Sequence, residues 1–364
     1  MNRNLLLIVL LLISVECVAQ WEWYDPQNNG GKSSSFIQNQ GWNEDGGNYY
    51  RLPLRAKGKV KDKVWSLAGE SAGLAIRFKT DAKDIKVKYK ATGGYSMPHM
   101  PATGVSGVDL YRDVDKGFCF GDYSFGDTIR YDYHIDRGSN VGREQEYTLY
   151  LPLYNRVEHL EIGVPVGSIF SFVPAMTDHP IVLYGTSIAQ GACASRPGMA
   201  WGNIVSRSLE IPLINLGFSG NGKLEKEVVD FINEQNACVY ILDCMANLTD
   251  SGEEEVKNLV KQAVWQIRKK HDTPVLLVEH AGYSNGITNQ KQYDAYMRAN
   301  IGQAKAYKEL KKEGVKNLFY LSREELGYST DSWVDYVHPS DFGMVRQAVA
   351  IEKKLKKIIK RLLF

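Results

Sequence analysis

The hydrophobic pattern changes period once, near Met176-Thr177-Asp178, and that change restricts the fold more than any other feature of the chain. Beyond it, short apolar runs alternate with amphipathic stretches. The runs are Ile181–Tyr184, Leu213–Leu216, Val239–Leu242, Val275–Val278 and Leu318–Leu321. The stretches near 198–209, 224–235, 253–271, 289–313 and 342–361 have helical spacing. In one of them Val256, Leu259, Val260, Ala263, Val264 and Ile267 make a single apolar stripe. Parallel strands need crossover connections, so this alternation predicts a parallel sheet with helices on both faces.

Before the change the period is that of half-buried strands. Leu74, Ile76 and Phe78 alternate with Ala75, Arg77 and Lys79. Ile85, Val87 and Tyr89 alternate with Lys86, Lys88 and Lys90. Tyr147–Tyr154 and Val157–Val164 are further strand candidates, and no long helical period appears. Short strands separated by Gly, Asp and Pro turns predict a β-sandwich of jelly-roll type. The expected division is a β-domain over 20–175 and an α/β domain over 176–364.

Residues 1–19 read as a targeting segment. Met1-Asn2-Arg3-Asn4 is a short basic lead, and Leu5–Val15 is an apolar core too short to span a bilayer comfortably. Cys17 and Ala19 are small residues in the −3 and −1 positions, so a signal peptide cut after Ala19 is expected. Glu16 stands before Cys17 where a lipid-attachment site needs a small residue, so lipidation is not expected. No other stretch is apolar and long enough for a membrane span. A net charge of +2 gives no reason to expect nucleic acid or an anionic membrane as partner. Export permits disulfides. However, Cys119, Cys193, Cys238 and Cys244 are scattered, without a CxxC pair or zinc-type spacing. Buried thiols are expected, and neither a disulfide framework nor a metal.

Gly185-Thr186-Ser187-Ile188 follows the first apolar run and puts a serine at the carboxyl end of a strand. That edge is where an open α/β sheet gathers its ligands and catalytic groups. Gly220, in Gly217-Phe218-Ser219-Gly220-Asn221, follows the second run, and Asn247, in Met245-Ala246-Asn247-Leu248, the third. Asp335-Tyr336-Val337-His338 precedes the last helix. Each alone has a plain reading as turn or helix cap. Together they supply a nucleophile, a base, an orienter for the base, and donors for a developing oxyanion. Glu279 and His280 lie at the same edge and are weaker substrate-binding candidates, as is Arg196, which suits equally pinning a loop. Asp109 reads as a turn former that could reach the site, and Met97-Pro98-His99-Met100-Pro101 as a candidate lid. His134, His159, His179 and His271 have no partner spacing.

These blocks resemble the SGNH (GDSL-like) hydrolases over roughly residues 178–361. Gly191-Ala192-Cys193-Ala194-Ser195-Arg196-Pro197-Gly198 resembles the extended first block of a two-domain bacterial branch. Gly107-Val108-Asp109-Leu110-Tyr111 matches the GxDLY motif of that branch's N-terminal domain. The resemblance implies a flavodoxin-like three-layer α/β/α hydrolase domain behind the β-sandwich. It implies Ser187 as nucleophile, His338 as base, Asp335 as its orienter, and an oxyanion hole from Ser187, Gly220 and Asn247. Thr186 replaces the usual Asp before the serine, and Met245-Ala246-Asn247-Leu248 departs from the usual Gly-x-Asn-Asp. The expected activity is that of an exported serine esterase, without cofactor, acting on an acylated carbohydrate with acetyl the favoured acyl group. A lipid esterase or thioesterase, or a glycan-binding protein with a silent hydrolase domain, are the alternatives.

Overall fold

The computed structural model describes residues 20–28, 35–43, 48–138, 141–176 and 178–363. The expected signal segment 1–19, and Thr177 at the expected boundary, lie outside them. Among the described residues no helix is long and apolar enough to cross a membrane.

The N-terminal part is a β-sandwich. One antiparallel sheet runs in the order Trp21–Tyr24, Val157–Pro165, Asp84–Ala91, Ile129–His134, Gly121–Ser124. The other runs Phe170–Phe172, Ala75–Thr80, Gln145–Tyr150, Asp109–Arg112, Gly117–Cys119, with Ile37–Gln38 paired beside Ala75–Thr80. The alternation read from the sequence is the alternation of the sheets. Ile85, Val87 and Tyr89 turn inward to meet Ile76, Phe78 and Leu149, while Lys86 and Lys88 are half-buried and Lys90 is exposed.

The C-terminal part is a five-stranded parallel sheet in the order Leu213–Gly217, Ile181–Gly185, Val239–Asp243, Val275–Val278, Leu318–Leu321. Its second strand lies outside the first, and the third to fifth follow on the other side, which is the flavodoxin-like order. The chain therefore reverses its direction of travel across the sheet at Ile181–Gly185, and a crevice opens at that strand's carboxyl end. Both faces are covered. Val182 and Tyr184 pack with the helices Lys226–Ile232, Glu253–Arg268 and Gln290–Lys312. Ile181 and Leu183 pack with Trp201–Leu209 and Asp341–Leu363. The Lys-rich flank of the last helix is solvated, with Lys353 and Lys357 exposed.

Two features depart from the sequence reading. The expected helix near 198–209 is split into a 3-10 turn, Pro197–Met199, and the α-helix Trp201–Leu209. A seven-residue helix also occurs inside the β region, at Asp62–Ala68, besides the single turn Ala102–Val105. It is too short to register as a period, and its helical state comes from tertiary packing. Val64, Leu67 and Ala68, with Trp42 and Leu52, enter the apolar layer of the parallel sheet. The change of sequence period near 176 is thus not a packing boundary. Cys193 and Cys244 are buried, Cys119 and Cys238 half-buried, and all remain thiols.

Candidate active site

Ser187 opens a short helix, Ser187–Gln190, at the mouth of the first parallel strand. Thr186 caps it, its Oγ1 accepting from the Ile188 N–H at 3.3 Å. A cap needs only a side-chain oxygen, so threonine fills the place of the usual aspartate. Gly191 closes the helix at φ 109°, a conformation glycine adopts without strain.

His338 and Asp335 arrive from the loop before the last helix. The Val334 N–H donates to the His338 carbonyl at 2.9 Å, and the Ser284 N–H to the Tyr336 carbonyl at 2.9 Å, so the loop is held from two sides. Asp335 Oδ1 accepts from the backbone N–H groups of Val337 and His338, at 2.8 and 2.7 Å. Asp335 Oδ2 lies 2.7 Å from His338 Nδ1, and His338 Nε2 lies 3.0 Å from Ser187 Oγ. With Nδ1–H donating to the carboxylate, Nε2 is the acceptor for the serine O–H. Burial works to raise the Asp335 carboxyl. The hydrogen bonds from the His338 ring and the two N–H groups outweigh it and hold the carboxyl below its ordinary value.

The turn after the second strand lies against this line. Gly222 passes so close that an added Cβ would stand 2.1 Å from the Gly185 carbonyl oxygen. Its N–H donates to Asn247 Oδ1 at 3.0 Å, which leaves Nδ2 as the donor of that amide. Gly220 takes φ 69°, with open space where a side chain would point. Leu248, where the family pattern has Asp, is 3% exposed and serves the core. Gly220 and Asn247 border a cavity of about 750 Å³, whose wall includes Lys223, Asp250, Lys291, Asp294, Arg298 and Tyr336.

Other sequence candidates have different surroundings. Asp109 is buried and accepts from Arg196 Nη1 at 2.8 Å and from the Gly198 N–H at 2.7 Å. Arg196 also donates to the Tyr111 hydroxyl at 2.6 Å. The Asp and Tyr of the GxDLY segment therefore grip the loop that follows the Ser187 helix, and Arg196 is spent on that grip. Glu279 accepts from the Arg323 N–H at 2.7 Å and from the Tyr320 hydroxyl. His280 is buried, exchanges two 2.9 Å bonds with Asn300, and is pushed down to about 3 by burial and by Arg323. Neither lines the cavity. His134 pairs with Asp84, His159 with Glu161, and His271 with the Asn233 carbonyl, while His179 is exposed.

Gln190 and Arg51, which the sequence did not single out, and the candidate lid complete the surroundings. Gln190 Oε1 accepts from the Ser219 N–H at 3.1 Å, and its amide donates to Leu153 O at 3.1 Å and to Glu70. Arg51, 2% exposed, donates to the Gly217 carbonyl at 2.6 Å. Met97 and Met100 exchange two backbone bonds of 3.0 Å, making a tight hairpin with Pro98 and His99 at its tip. The His99 ring stacks on His338, with centroids 5.6 Å apart and 15° between planes. Cys193 stands behind them in a left-handed conformation, φ 67°. One ligand-type atom each from His99, Cys193, Asp335 and His338 lies within 4.8 Å of the others, a set able to hold a metal ion. Asp335 and His338 were site candidates from the sequence; His99, from the candidate lid, and Cys193, from the 191–198 block, are far from them in sequence, and no spacing joined them.

The chain matches known families over both parts. Residues 178–356 match the GDSL-like Lipase/Acylhydrolase family. Residues 21–170 match the N-terminus of Esterase_SGNH_hydro-type. No curated protein sequence matches. Among solved structures, a protein from Bacteroides ovatus classed as a GDSL-like lipase is 33% identical, with TM-score 0.84, covering 94% of this chain and 98% of that one. The salicylyl-acyltransferase of a tetracycline biosynthetic pathway shares the fold at 16% identity and TM-score 0.68, covering 93% of this chain and 94% of that one. A family two carbohydrate esterase from Cellvibrio japonicus does so at 13% identity and TM-score 0.53, covering 94% and 99%. With a third of its residues shared along nearly the whole length of one such protein, and both parts matched by family models, the chain belongs to the two-domain SGNH (GDSL-like) esterase family with an N-terminal GxDLY domain and is a serine hydrolase.

Proposed function

We propose that this chain hydrolyses acyl esters of carbohydrates, acetyl esters foremost, through Ser187, His338 and Asp335. The line from Ser187 Oγ to His338 Nε2 at 3.0 Å and from His338 Nδ1 to Asp335 Oδ2 at 2.7 Å carries this reading. Ser187 Oγ attacks the ester carbonyl carbon while its proton passes to His338 Nε2. The carbonyl oxygen takes up negative charge and is met by the N–H groups of Ser187 and Gly220 and by Asn247 Nδ2. The ester C–O bond then breaks, and the sugar oxygen leaves with the proton held by His338. Water repeats the sequence on the acyl-serine, releasing the acid and restoring Ser187. The two imidazole protonation states are reached at Nε2 alone, because Asp335 keeps Nδ1–H engaged.

The sugar part of the reading rests on the cavity beside Gly220 and Asn247. Its charged and hydroxyl-bearing wall, with Lys223, Asp250, Lys291, Asp294 and Arg298, suits a hydroxylated leaving group better than an acyl chain. The fold itself hosts both a carbohydrate esterase and an acyltransferase, so it does not choose between them. Release of acetate from acetylated polysaccharides, set against p-nitrophenyl esters of rising chain length, tests the proposal. Preference for long acyl chains with no acetate release would overturn the substrate and leave the chemistry standing. Full activity in folded Ser187→Ala would overturn the mechanism. Export is part of the same reading. Mass spectrometry of the exported protein should give a chain beginning at Gln20, and a mature chain retaining Leu5–Val15 would remove that part.

A further inference from the structure

We propose that His99, Cys193, Asp335 and His338 bind a thiophilic divalent cation, Zn(II) being the best fit, and that its binding shuts the active site. Two imidazoles, a thiolate and a carboxylate are a ligand set of the kind Zn(II) takes in tetrahedral sites. Their donor atoms already lie within 4.8 Å of one another. Bonds of about 2.0–2.3 Å would bring such atoms to roughly 3.3–3.8 Å from each other, a contraction of about 1 Å. The geometry can supply that contraction. His99 sits exposed at the tip of the Met97–Met100 hairpin, its ring already stacked on that of His338. Cys193 is fixed from behind. The helix Ala102–Val105 packs on its loop, with Thr103 Oγ1 donating to the Ser195 carbonyl at 2.7 Å. Asp341 holds the same loop through the Ser195 N–H at 2.9 Å. One ligand thus lies at an exposed hairpin tip and one on a loop held from two sides, and Asp335 and His338 complete the set.

Binding exchanges the thiol proton for the metal. The S–H bond breaks, a Zn–S bond forms, and the proton leaves to solvent. An ordinary thiol keeps its proton at neutral pH until a metal arrives. A metal held by Asp335 and His338 together takes the Nδ1 side of the ring; the ring proton moves from Nδ1 to Nε2, and Ser187 loses its acceptor. Binding stands apart from the catalytic reading of Ser187, whereas inhibition depends on it.

The experiment has two arms on the whole chain. In the first, Co(II) is added and the near-ultraviolet absorbance followed. Wild type should develop a thiolate-to-metal charge-transfer band that Zn(II) abolishes. Cys193→Ser should lose the band, and His99→Gln should weaken Co(II) binding by about tenfold or more. In the second, Zn(II) or Mg(II) is titrated against hydrolysis of a small acetyl ester. Each variant is normalised to its own metal-free rate. Zn(II) should inhibit wild type and Mg(II) should not, and His99→Gln should need about tenfold more Zn(II). No band in wild type, a band that survives Cys193→Ser, equal inhibition by Mg(II), or unchanged Zn(II) sensitivity in His99→Gln would each overturn the site. Circular dichroism checks folding. If Cys193→Ser does not fold, the exposed His99 variant still decides. A chain with the band and no esterase activity would retain the metal site and sink the catalytic reading.

Discussion

Asp243 ends the third strand of the parallel sheet, and Asp335 lies in the loop before the last helix; the first carboxyl group is buried and the second partly so, and they are driven in opposite directions. Asp243 is 6% exposed, and its side chain takes a hydrogen bond from Gln347 Nε2 at 3.0 Å. Burial pushes it up to about 7, against that one donor. Asp335 takes the His338 ring and two backbone N–H groups, and is held below its ordinary value despite its burial. Depth and donors act together: Asp243 is fully buried with one donor, and Asp335 is partly buried with three. A strand end has its N–H groups committed to the sheet, whereas a loop can turn successive N–H groups onto one oxygen. The sheet interior therefore tolerates a carboxylic acid, and the loop keeps a carboxylate.

The largest effect should come from cutting the line that the Asp335 carboxylate serves. Ser187→Ala and His338→Ala should each lower kcat by about 10⁶-fold, with the double variant little worse, since groups sharing one transition state are not additive. Additive losses in single-turnover hydrolysis of a small acetyl ester would mean that the two act in separate steps. Asp335→Asn should cost less, about 10⁴-fold in kcat, because it disturbs the His338 tautomer and leaves nucleophile and donors in place. Asp243→Asn is the matched control, and its kcat should stay close to wild type. Equal losses from the two asparagine variants would erase the distinction between loop and strand end.

The same strand end carries Asn247 a few residues on, facing the cavity instead of the core. Loss of one oxyanion donor costs about 3–4 kcal/mol, so Asn247→Ala should lower kcat by about 10²- to 10³-fold. An unchanged kcat in a folded variant would assign that donation elsewhere.

An effect of similar size falls on stability. Because Asp243 is raised, the folded chain holds a proton that the unfolded chain releases near 3.8, the group's ordinary value. Its contribution is fully present below that pH and is lost as pH rises through about 7. Asp243→Asn removes the titration. Relative to wild type it should gain stability between pH 4 and pH 8, by about 4 kcal/mol in total from a shift of about three units. Urea unfolding at a series of pH values measures this. A difference between the two proteins that does not change with pH would show that Asp243 stays ionised in the fold. Asp335 should slope the other way, its contribution present above its ordinary value and fading as pH falls below it.

Much of the molecule was legible because its signals are local. A strand's period and a helix's stripe are set by neighbours a few residues away, so the parallel strands and their helices appear where Ile181–Tyr184 or Val256–Ile267 predict them. Ser187, Gly220 and Asn247 were legible for a related reason. In a parallel sheet every strand ends at the same edge, so residues that follow strands must converge. Asp335 and His338, three residues apart, needed only one turn to meet.

What the amino-acid order could not disclose is what depends on contacts between distant segments. The helix Asp62–Ala68 exists because the parallel sheet offers its apolar side a surface. Asp109 became a clamp, and not a turn former, because Arg196 and Gly198 come to it from another layer. Glu279 and His280 stand at the right edge in sequence, but Tyr320, Arg323 and Asn300 draw them inward. His99 and Cys193 carry no spacing that links them to His338, and a folded sandwich is what carries the hairpin tip onto the imidazole. Local periodicity determined the layers and the order of the candidate catalytic groups. The tertiary structure alone decided their protonation and their enclosure, because both depend on which donors, charges and apolar walls long-range packing brings within a few ångströms.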